Sequence, residues 1–402
     1  MAGALPEGEP VPRDGALPAA ALDAVGARGF GVYVHVPFCA SRCGYCDFNT
    51  YTASEGVVAD GYADRVLAEL ALATRVLGAV PRVATVFFGG GTPTLLPVAE
   101  LGRILDGIDR AWGLAGDAEV TTEANPESVS PASLRELRAA GFTRISLGMQ
   151  SAAPHVLAVL DRRHTPGRAA AAATEARVAG FAHVSLDLIY GTPGETAADF
   201  AGSLAMALAA GVDHVSGYAL IVEHGTRLAA RMRRGELPYP DDDVAADRYL
   251  AADHALTEAG FGWYEVSNWA RTPADRCRHN LLYWTGGDWW GLGPGAHSHV
   301  GGVRWWNVKH PTAYAARLAA GDSPGQGREI LTGAQRYSED VLLRLRLADG
   351  LPLPGLEPAG REAAQRALAD GLLDPAAYQD RRAVLTLRGR LLADAVVRDL
   401  LP

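Results

Sequence analysis

The stretch VYVHVPFCASRCGYCDFNTY, residues 32–51, sets the reading of the whole chain. A β-branched run ends at Pro37, and three cysteines, Cys39, Cys43 and Cys46, follow within eight residues. This is a strand that delivers thiols at its carboxyl end, and the pattern of a strand followed by a polar cluster then repeats. VATVFFGGG (83–91), EVTTEANP (119–126), RISLGMQS (144–151), HVSLDLIYG (183–191) and HVSGYALIV (214–222) have the same form. Amphipathic runs at 57–78, 98–112, 131–140, 168–179 and 196–210 separate them. Ser130 as N-cap, Pro131 at the first helical position and Gly141 beyond the last turn punctuate one of these helices. Six strands alternating with helices through right-handed crossovers predict a parallel sheet, either open or closed into a full or partial barrel.

With 402 residues, 48% hydrophobic and 21% charged, the chain can bury two globular cores. A formal charge of -9 argues against a nucleic-acid partner, and the basic run RMRRGE (231–236) is answered at once by Asp241, Asp242 and Asp243. No window of about 18 uncharged apolar residues offers a transmembrane segment. The amino terminus has no basic region followed by an apolar one, so a cytoplasmic location is expected. Four cysteines, three of them clustered, fit a reducing compartment where thiols serve metals or chemistry. Residues 1–28, rich in Ala, Gly and Pro without periodicity, read as a disordered leader.

In folds of this type the chemistry lies at the carboxyl ends of the strands. There the sequence places the cysteines, then Gly89 to Thr92, Glu123 and Asn125, Gln150, Asp187 and Tyr218. A four-iron cubane held by three thiolates leaves one iron open to another ligand. A zinc site is the competing reading. It needs a fourth ligand such as His35 or the distant Cys277, whereas structural zinc sites usually pair cysteines as CxxC twice and the spacing here is CxxxCxxC. GGGTPT (89–94) is not a phosphate loop, because no Gly-Lys-Ser/Thr follows and the chain's one lysine is Lys309.

CxxxCxxC followed by GGGTPT resembles the radical S-adenosylmethionine (SAM) superfamily and, within it, the oxygen-independent coproporphyrinogen III oxidase-like family, from Gly31 to the carboxyl terminus. The resemblance implies an α/β fold, a partial (β/α)6 barrel of TIM type, with a smaller, mostly helical, winged-helix-like carboxyl-terminal domain. It also implies a [4Fe-4S] cluster on Cys39, Cys43 and Cys46, whose free iron chelates the methionine end of SAM, and an electron donor such as a flavodoxin or ferredoxin. Carried over motif by motif, the SAM contacts are Tyr33, Tyr45, Gly90, Gly91, Thr92, Glu123, Gln150, Arg162, Asp187 and Ala219, with Arg163 adjacent and able to substitute for Arg162. Acidic side chains suit ribose hydroxyls and an arginine suits a carboxylate. Side-chain-free glycines allow close backbone approach.

Two departures separate the chain from the oxidases. Phe48 stands where they carry a further cysteine, and only the low-complexity leader precedes the motif. Both features resemble the sister branch, the haem chaperones of HemW type, which bind haem and deliver it to haem proteins. Seven of the eight tryptophans lie between 263 and 306, with His279, His297 and His299. Within that patch, CRHNLLYW (277–284) resembles the HNxxYW motif of the chaperone branch, which implies haem contacts from His279, Asn280, Tyr283 and Trp284. The same aromatics suit a haem wall, a packing seam between domains or a porphyrinogen pocket. Cys277 suits either a thiolate ligand or a buried free cysteine.

The expected organisation is therefore a leader (1–28), a barrel (29–260), an aromatic-rich connecting segment (261–310) and a carboxyl-terminal domain (311–402). The expected function is haem carriage to client proteins, with room for a peripheral membrane contact. Radical decarboxylation of coproporphyrinogen III is the alternative, and the CRHNLLYW motif argues against a radical reaction on an unrelated small molecule.

Overall fold

In the computed structural model, residues 8–56 and 59–401 are described. Six strands run parallel in chain order: β1 (Phe30–Val36), β2 (Val83–Gly90), β3 (Leu114–Ala124), β4 (Arg144–Gln150), β5 (His183–Tyr190) and β6 (His214–Ala219). Their bodies carry apolar residues on both faces, because parallel strands covered by crossover helices are buried on both sides. Val32, Val34, Val36, Val86, Phe88, Ile145, Leu147, Val184, Leu186 and Val215 are all buried in one core. The crossover helices Val98–Trp112, Pro131–Ala139, Arg168–Val178 and Ala197–Ala209 fall where the apolar periodicity placed them. Helix Tyr62–Leu77 starts later than the predicted 57, and residues 57–58 lie outside the described residues. Ser130 caps its helix, its Oγ accepting from the Ser133 N–H at 3.2 Å. Helix Arg168–Val178 packs through Ala169, Ala172, Ala173 and Ala176, a small-residue stripe that lets its backbone approach the sheet closely.

The barrel is open, and further strands extend it at both edges. Strands β7 (Gly262–Glu265) and β8 (Asn268–Ala270) add antiparallel beside β6. On the other side β9 (Asp288–Leu292) pairs parallel with β1, followed antiparallel by β10 (His297–Val300), β11 (Val303–Asn307) and β12 (Gly325–Ile330). Among the described residues the resulting sheet has twelve strands. Residues 261–310, expected as a connecting segment, are thus part of the sheet. The expected carboxyl-terminal boundary at 311 shifts as well, since β12 belongs to the same sheet. A separate, mostly helical core forms around Val341, Leu345, Leu356, Leu373, Val396 and Leu400, with one short two-stranded ladder. Arg390 ties it to the barrel by a two-pronged ion pair with Asp253, at 2.7 and 3.0 Å.

The leader is corrected too. Its first seven residues lie outside the described ones, but residues 8–16 run along the outer edge of β12, and Ala21 and Gly26 meet the Gly301 turn and Asp288. The Arg328 N–H donates to the Glu9 carbonyl (2.9 Å), the Ser323 N–H to the Arg13 carbonyl (2.6 Å), and a short helix, Ala19–Asp23, buries Ala21. Backbone bonding to a sheet edge needs no side-chain periodicity, so composition did not announce it, and the segment covers an otherwise open edge. Among the described residues, no helix is long and apolar enough to cross a membrane.

Candidate functional site

The parallel registers bring the carboxyl ends of the six strands to one rim: Val36 lies opposite Gly90, and Tyr190 opposite Ala219. The cysteine loop closes over this rim. The Gly44 N–H donates to the Leu160 carbonyl (2.9 Å), and its own carbonyl accepts from the Leu228 N–H (2.8 Å), so helices after β4 and β6 hold the loop. Beneath it is a cavity of about 750 Å³ lined by Cys39, Cys43 and Cys46, all three partly exposed free thiols. Burial raises the Cys39 thiol and pushes Cys46 up to about 11. As thiols they are poor ligands, and a bound metal supplies the positive charge that deprotonates them.

Tyr45, Gly90, Gly91, Thr92, Glu123, Gln150, Arg162, Asp187 and Ala219 line this same cavity. The sequence assigned the glycines to ligand approach, but the structure gives Gly90 and Gly91 a nearer reason. A Cβ at Gly91 would stand 2.5 Å from the Phe38 carbonyl oxygen, and one at Gly90, whose φ is +107°, 2.6 Å from the His35 ring. The loop can lie against β1 only without side chains, which is why the Gly91 and Thr92 N–H groups reach the Val36 and Phe38 carbonyls at 2.8 Å. Gln150 follows a register shift at the end of β4 with φ +64°, a left-handed conformation uncommon for a side-chain-bearing residue. Such local strain is concentrated at ligand sites.

Arg162 lies over the cysteine loop. Its Nη1 is 3.5 Å from Cys43 Sγ, its Nη2 donates to the Gly148 carbonyl (3.0 Å), and its buried Nε has no hydrogen-bond partner among the described residues. Arg163 does not line the cavity. Glu123 accepts from the Gly90 N–H at 3.1 Å, and Asp187 accepts from Ser146 Oγ at 2.8 Å, with Ser185 and Ser216 also bonded to it. Those three serines were missed by sequence reasoning. The signal was present, however: RIS, HVS and HVS carry a hydroxyl in three neighbouring strands, Ser146 pairing with Ser185 and Ser216 with Asp187 in register. Three thiols, an arginine with an unused donor and two enclosed carboxylates without full charge partners together fit a cluster and a zwitterionic ligand carrying hydroxyls.

Glu123 is pushed up to about 8, first by burial and then by the nearby Asp187 charge. A carboxyl raised above its ordinary 4.5 holds a proton in the folded state that the unfolded chain has already released. Its contribution to stability is complete below about 4.5 and lost as pH rises through about 8. Buried Glu69, Glu195 and Glu265, each raised to about 7, act with the same sign. Buried His35 and His279, lowered to about 4 and about 3, act with the opposite sign below their ordinary 6.5, so the cofactor-free protein is expected to melt at progressively lower temperature from about pH 6.5 to about pH 8, and Glu123→Gln to remove part of that slope. Melting curves across the range check this, and an unaltered slope in the variant would place the proton elsewhere.

Tyr33 departs from the expected set. Together with Gly90, Glu123 and the cysteine loop it lines a second, adjoining cavity of about 1390 Å³, and its hydroxyl bonds His35 Nδ1 at 3.0 Å. The expected haem residues separate as well. Helix Arg278–Trp284 fills the barrel floor. His279 is buried, with Nδ1 2.8 Å from Thr85 Oγ1 and Nε2 2.7 Å from the Tyr283 hydroxyl, and burial lowers its pKa to about 3. With both ring nitrogens engaged, it has no lone pair aimed at open space, so its expected role as an axial haem ligand does not fit. Asn280 and Trp284 bond buried Glu265; Asn280 also lines the first cavity, and Tyr283 lines the second. Cys277 is buried beside Glu119 and is the free structural cysteine of the two readings.

The radical SAM superfamily model matches residues 33–207. The chain is 61% identical over 374 residues to a Mycobacterium tuberculosis protein named heme chaperone HemW, spanning 92% of this chain and 95% of that one. It is 34% identical over 320 residues to the Bacillus subtilis protein of the same name, spanning 79% and 84%. Among solved structures, the radical SAM enzyme coproporphyrinogen III oxidase (HemN) of Escherichia coli matches with a TM-score of 0.80 at 24% identity over 94% of this chain and 92% of that one, a likeness of fold. The thiol loop, the rim chemistry and these relatives lead to one assignment: the chain belongs to the HemW family of haem chaperones, within the radical SAM superfamily.

Proposed function

We propose that this protein binds haem and passes it to haem-dependent client proteins, while Cys39, Cys43 and Cys46 hold a [4Fe-4S] cluster with SAM at its open iron. The observation that carries this reading is the pair of cavities sharing the cysteine loop. The smaller, with Arg162, Glu123 and Asp187, suits SAM, and the larger exceeds the roughly 300–1,000 Å³ usual for small ligands. That larger space is open to a flat macrocycle. When bound, the cluster and SAM supply one-electron chemistry. Arg162, Glu123 and Asp187 bind and orient the ligand, and the glycine loop closes the rim.

Phe48, 63% exposed at the mouth of both cavities, stands where the oxidases carry a further cysteine. Leu95, Tyr218 and Ile221 are exposed around the first cavity. This apolar rim suits a docking client, an electron donor of the flavodoxin or ferredoxin class, or a membrane surface. The anaerobically reconstituted protein, assayed side by side for haem transfer to an apo-haem protein and for coproporphyrinogen III decarboxylation with SAM and reductant, is expected to transfer haem and leave the porphyrinogen unchanged. Turnover of the porphyrinogen without haem transfer would install the oxidase reading instead.

A further inference from the structure

The second cavity contains its own candidate for an iron ligand. Three histidines line it: His35, His224 and His297. His35 is committed, because its Nε2 lies 2.9 Å from the Asn49 carbonyl and must donate there, leaving Nδ1 to accept from Tyr33. His224 is exposed on an irregular loop after β6. His297 differs from both. It opens β10, its side chain is exposed towards the cavity, and among the described residues nothing hydrogen-bonds its imidazole.

Its backbone is nevertheless tightly fixed. The His297 carbonyl accepts from Trp289 Nε1 at 2.9 Å, and a Cβ at Gly291 would stand 2.1 Å from that same oxygen, so only glycine lets β9 pack there. The ring tilts over Trp306 at 6.2 Å. Trp289 and Tyr283, in edge contact at 4.5 Å, stand beside it on the cavity wall, and Phe48 faces in from the cysteine loop. Lys309, the chain's one lysine, is exposed on the same cavity and has no carboxylate partner among the described residues. The surrounding cavity wall partly shields the ring from water, and with Lys309 and Arg304 nearby this lowers the His297 pKa and favours the neutral imidazole with a lone pair available.

We infer that His297 is the axial ligand to haem iron in the second cavity, with Trp289 and Tyr283 walling the macrocycle and Lys309 pairing with a propionate. This rests on the haem-binding reading and specifies its site. A ligand on a strand locked by neighbouring backbone is better positioned than one on a loop. The arrangement also places the macrocycle against the loop of Cys43 and Cys46, which line the same space.

The test is a titration of the reconstituted full-length protein with ferric haem, followed by the Soret band, with cluster absorbance and far-ultraviolet circular dichroism as folding controls. His297→Ala is expected to shift the band and weaken binding by more than about tenfold, the cost attached even to an outer partner of a metal ligand. Free imidazole should restore the band. His297→Gln, closer in volume, repeats the test should the alanine variant unfold. Lys309→Met should weaken binding by about two- to fivefold without moving the band, as for an exposed ion pair. A wild-type band and affinity in both His297 variants overturns the inference, as does a band shift produced only by His224→Ala or His279→Ala. Wild type without saturable haem binding overturns the underlying reading as well, whereas wild type that binds alongside unchanged His297 variants removes the ligand assignment alone.

Discussion

Serine in place of any one of Cys39, Cys43 or Cys46 is expected to leave a folded protein that assembles no four-iron cluster. On the proposed reading these three thiols are the cluster's protein ligands, so the loss of one would leave two irons without a protein ligand. The remaining cysteine is no replacement, since Cys277 is buried at the barrel floor and burial raises its thiol far above the ordinary range. A serine hydroxyl does not ionise as a thiol does, and even Cys46, pushed up to about 11 by burial, needs a nearby positive charge to become a thiolate. The loop itself should survive. The three side chains are partly exposed and the loop is fixed through Gly44, so each substitution should change stability by no more than about 0.5 kcal/mol. Iron and sulfide analysis after anaerobic reconstitution, beside a thermal melt, reads both outcomes. A cluster retained in the single variants, or stoichiometric zinc in the wild type, would sink the assignment.

What the sequence reveals of this site and what it conceals divide along the range of the interactions. The six strands and their helices follow from local periodicity, and the rim residues follow because every strand end is polar where the strand body is apolar. Arg162 and Arg163 are equivalent as letters, and only the turn after the helix at Pro154–Val159, with Asp161 at φ +51°, sends Arg162 towards Cys43. The tryptophans are least legible because one residue type serves several ends. Trp269 is buried against Asp253, Trp290 and Trp305 meet edge to face at 4.8 Å in the core, and Trp289 alone among these four faces the second cavity. The pairing of β9 with β1 joins residues 258 positions apart, and no local pattern announces it. A hairpin signal was nonetheless present: Gly301 and Gly302, both with positive φ, separate HSHV from VRWWN in the two-residue arrangement that closes antiparallel strands. Aromatic density does not by itself separate sheet core from cavity wall, and this stretch supplies both.

Glu119→Ala is expected to be the most destabilising single change near the site, costing about 3–5 kcal/mol, the range for breaking a buried ion pair. Glu119 and Arg144 are both buried, with Arg144 Nε donating to Glu119 Oε2 at 3.0 Å. The same carboxylate accepts from the Arg278 N–H (3.1 Å) and the His279 N–H (3.0 Å), the first turn of the helix that fills the barrel floor. Removing it strands a buried guanidinium whose Nη1 already lacks a partner, and uncaps the helix carrying His279, Asn280, Tyr283 and Trp284. A loss of that size is a large share of the 5–15 kcal/mol that holds a typical domain together. Glu119→Gln keeps an acceptor for the helix N–H groups but not the charge, so its cost should be smaller. Denaturant midpoints for both variants, with slopes compared to confirm two-state unfolding, give the ordering. A cost below about 1 kcal/mol for the alanine variant would mean that Arg144 finds another partner. The haem spectrum of the folded fraction adds a second readout. If the iron ligand is His297 and the HNxxYW helix contributes only the Tyr283 wall, loosening the helix lowers stability and haem affinity while the Soret band stays where it was. A band that moves with Glu119 would return the motif to the haem itself.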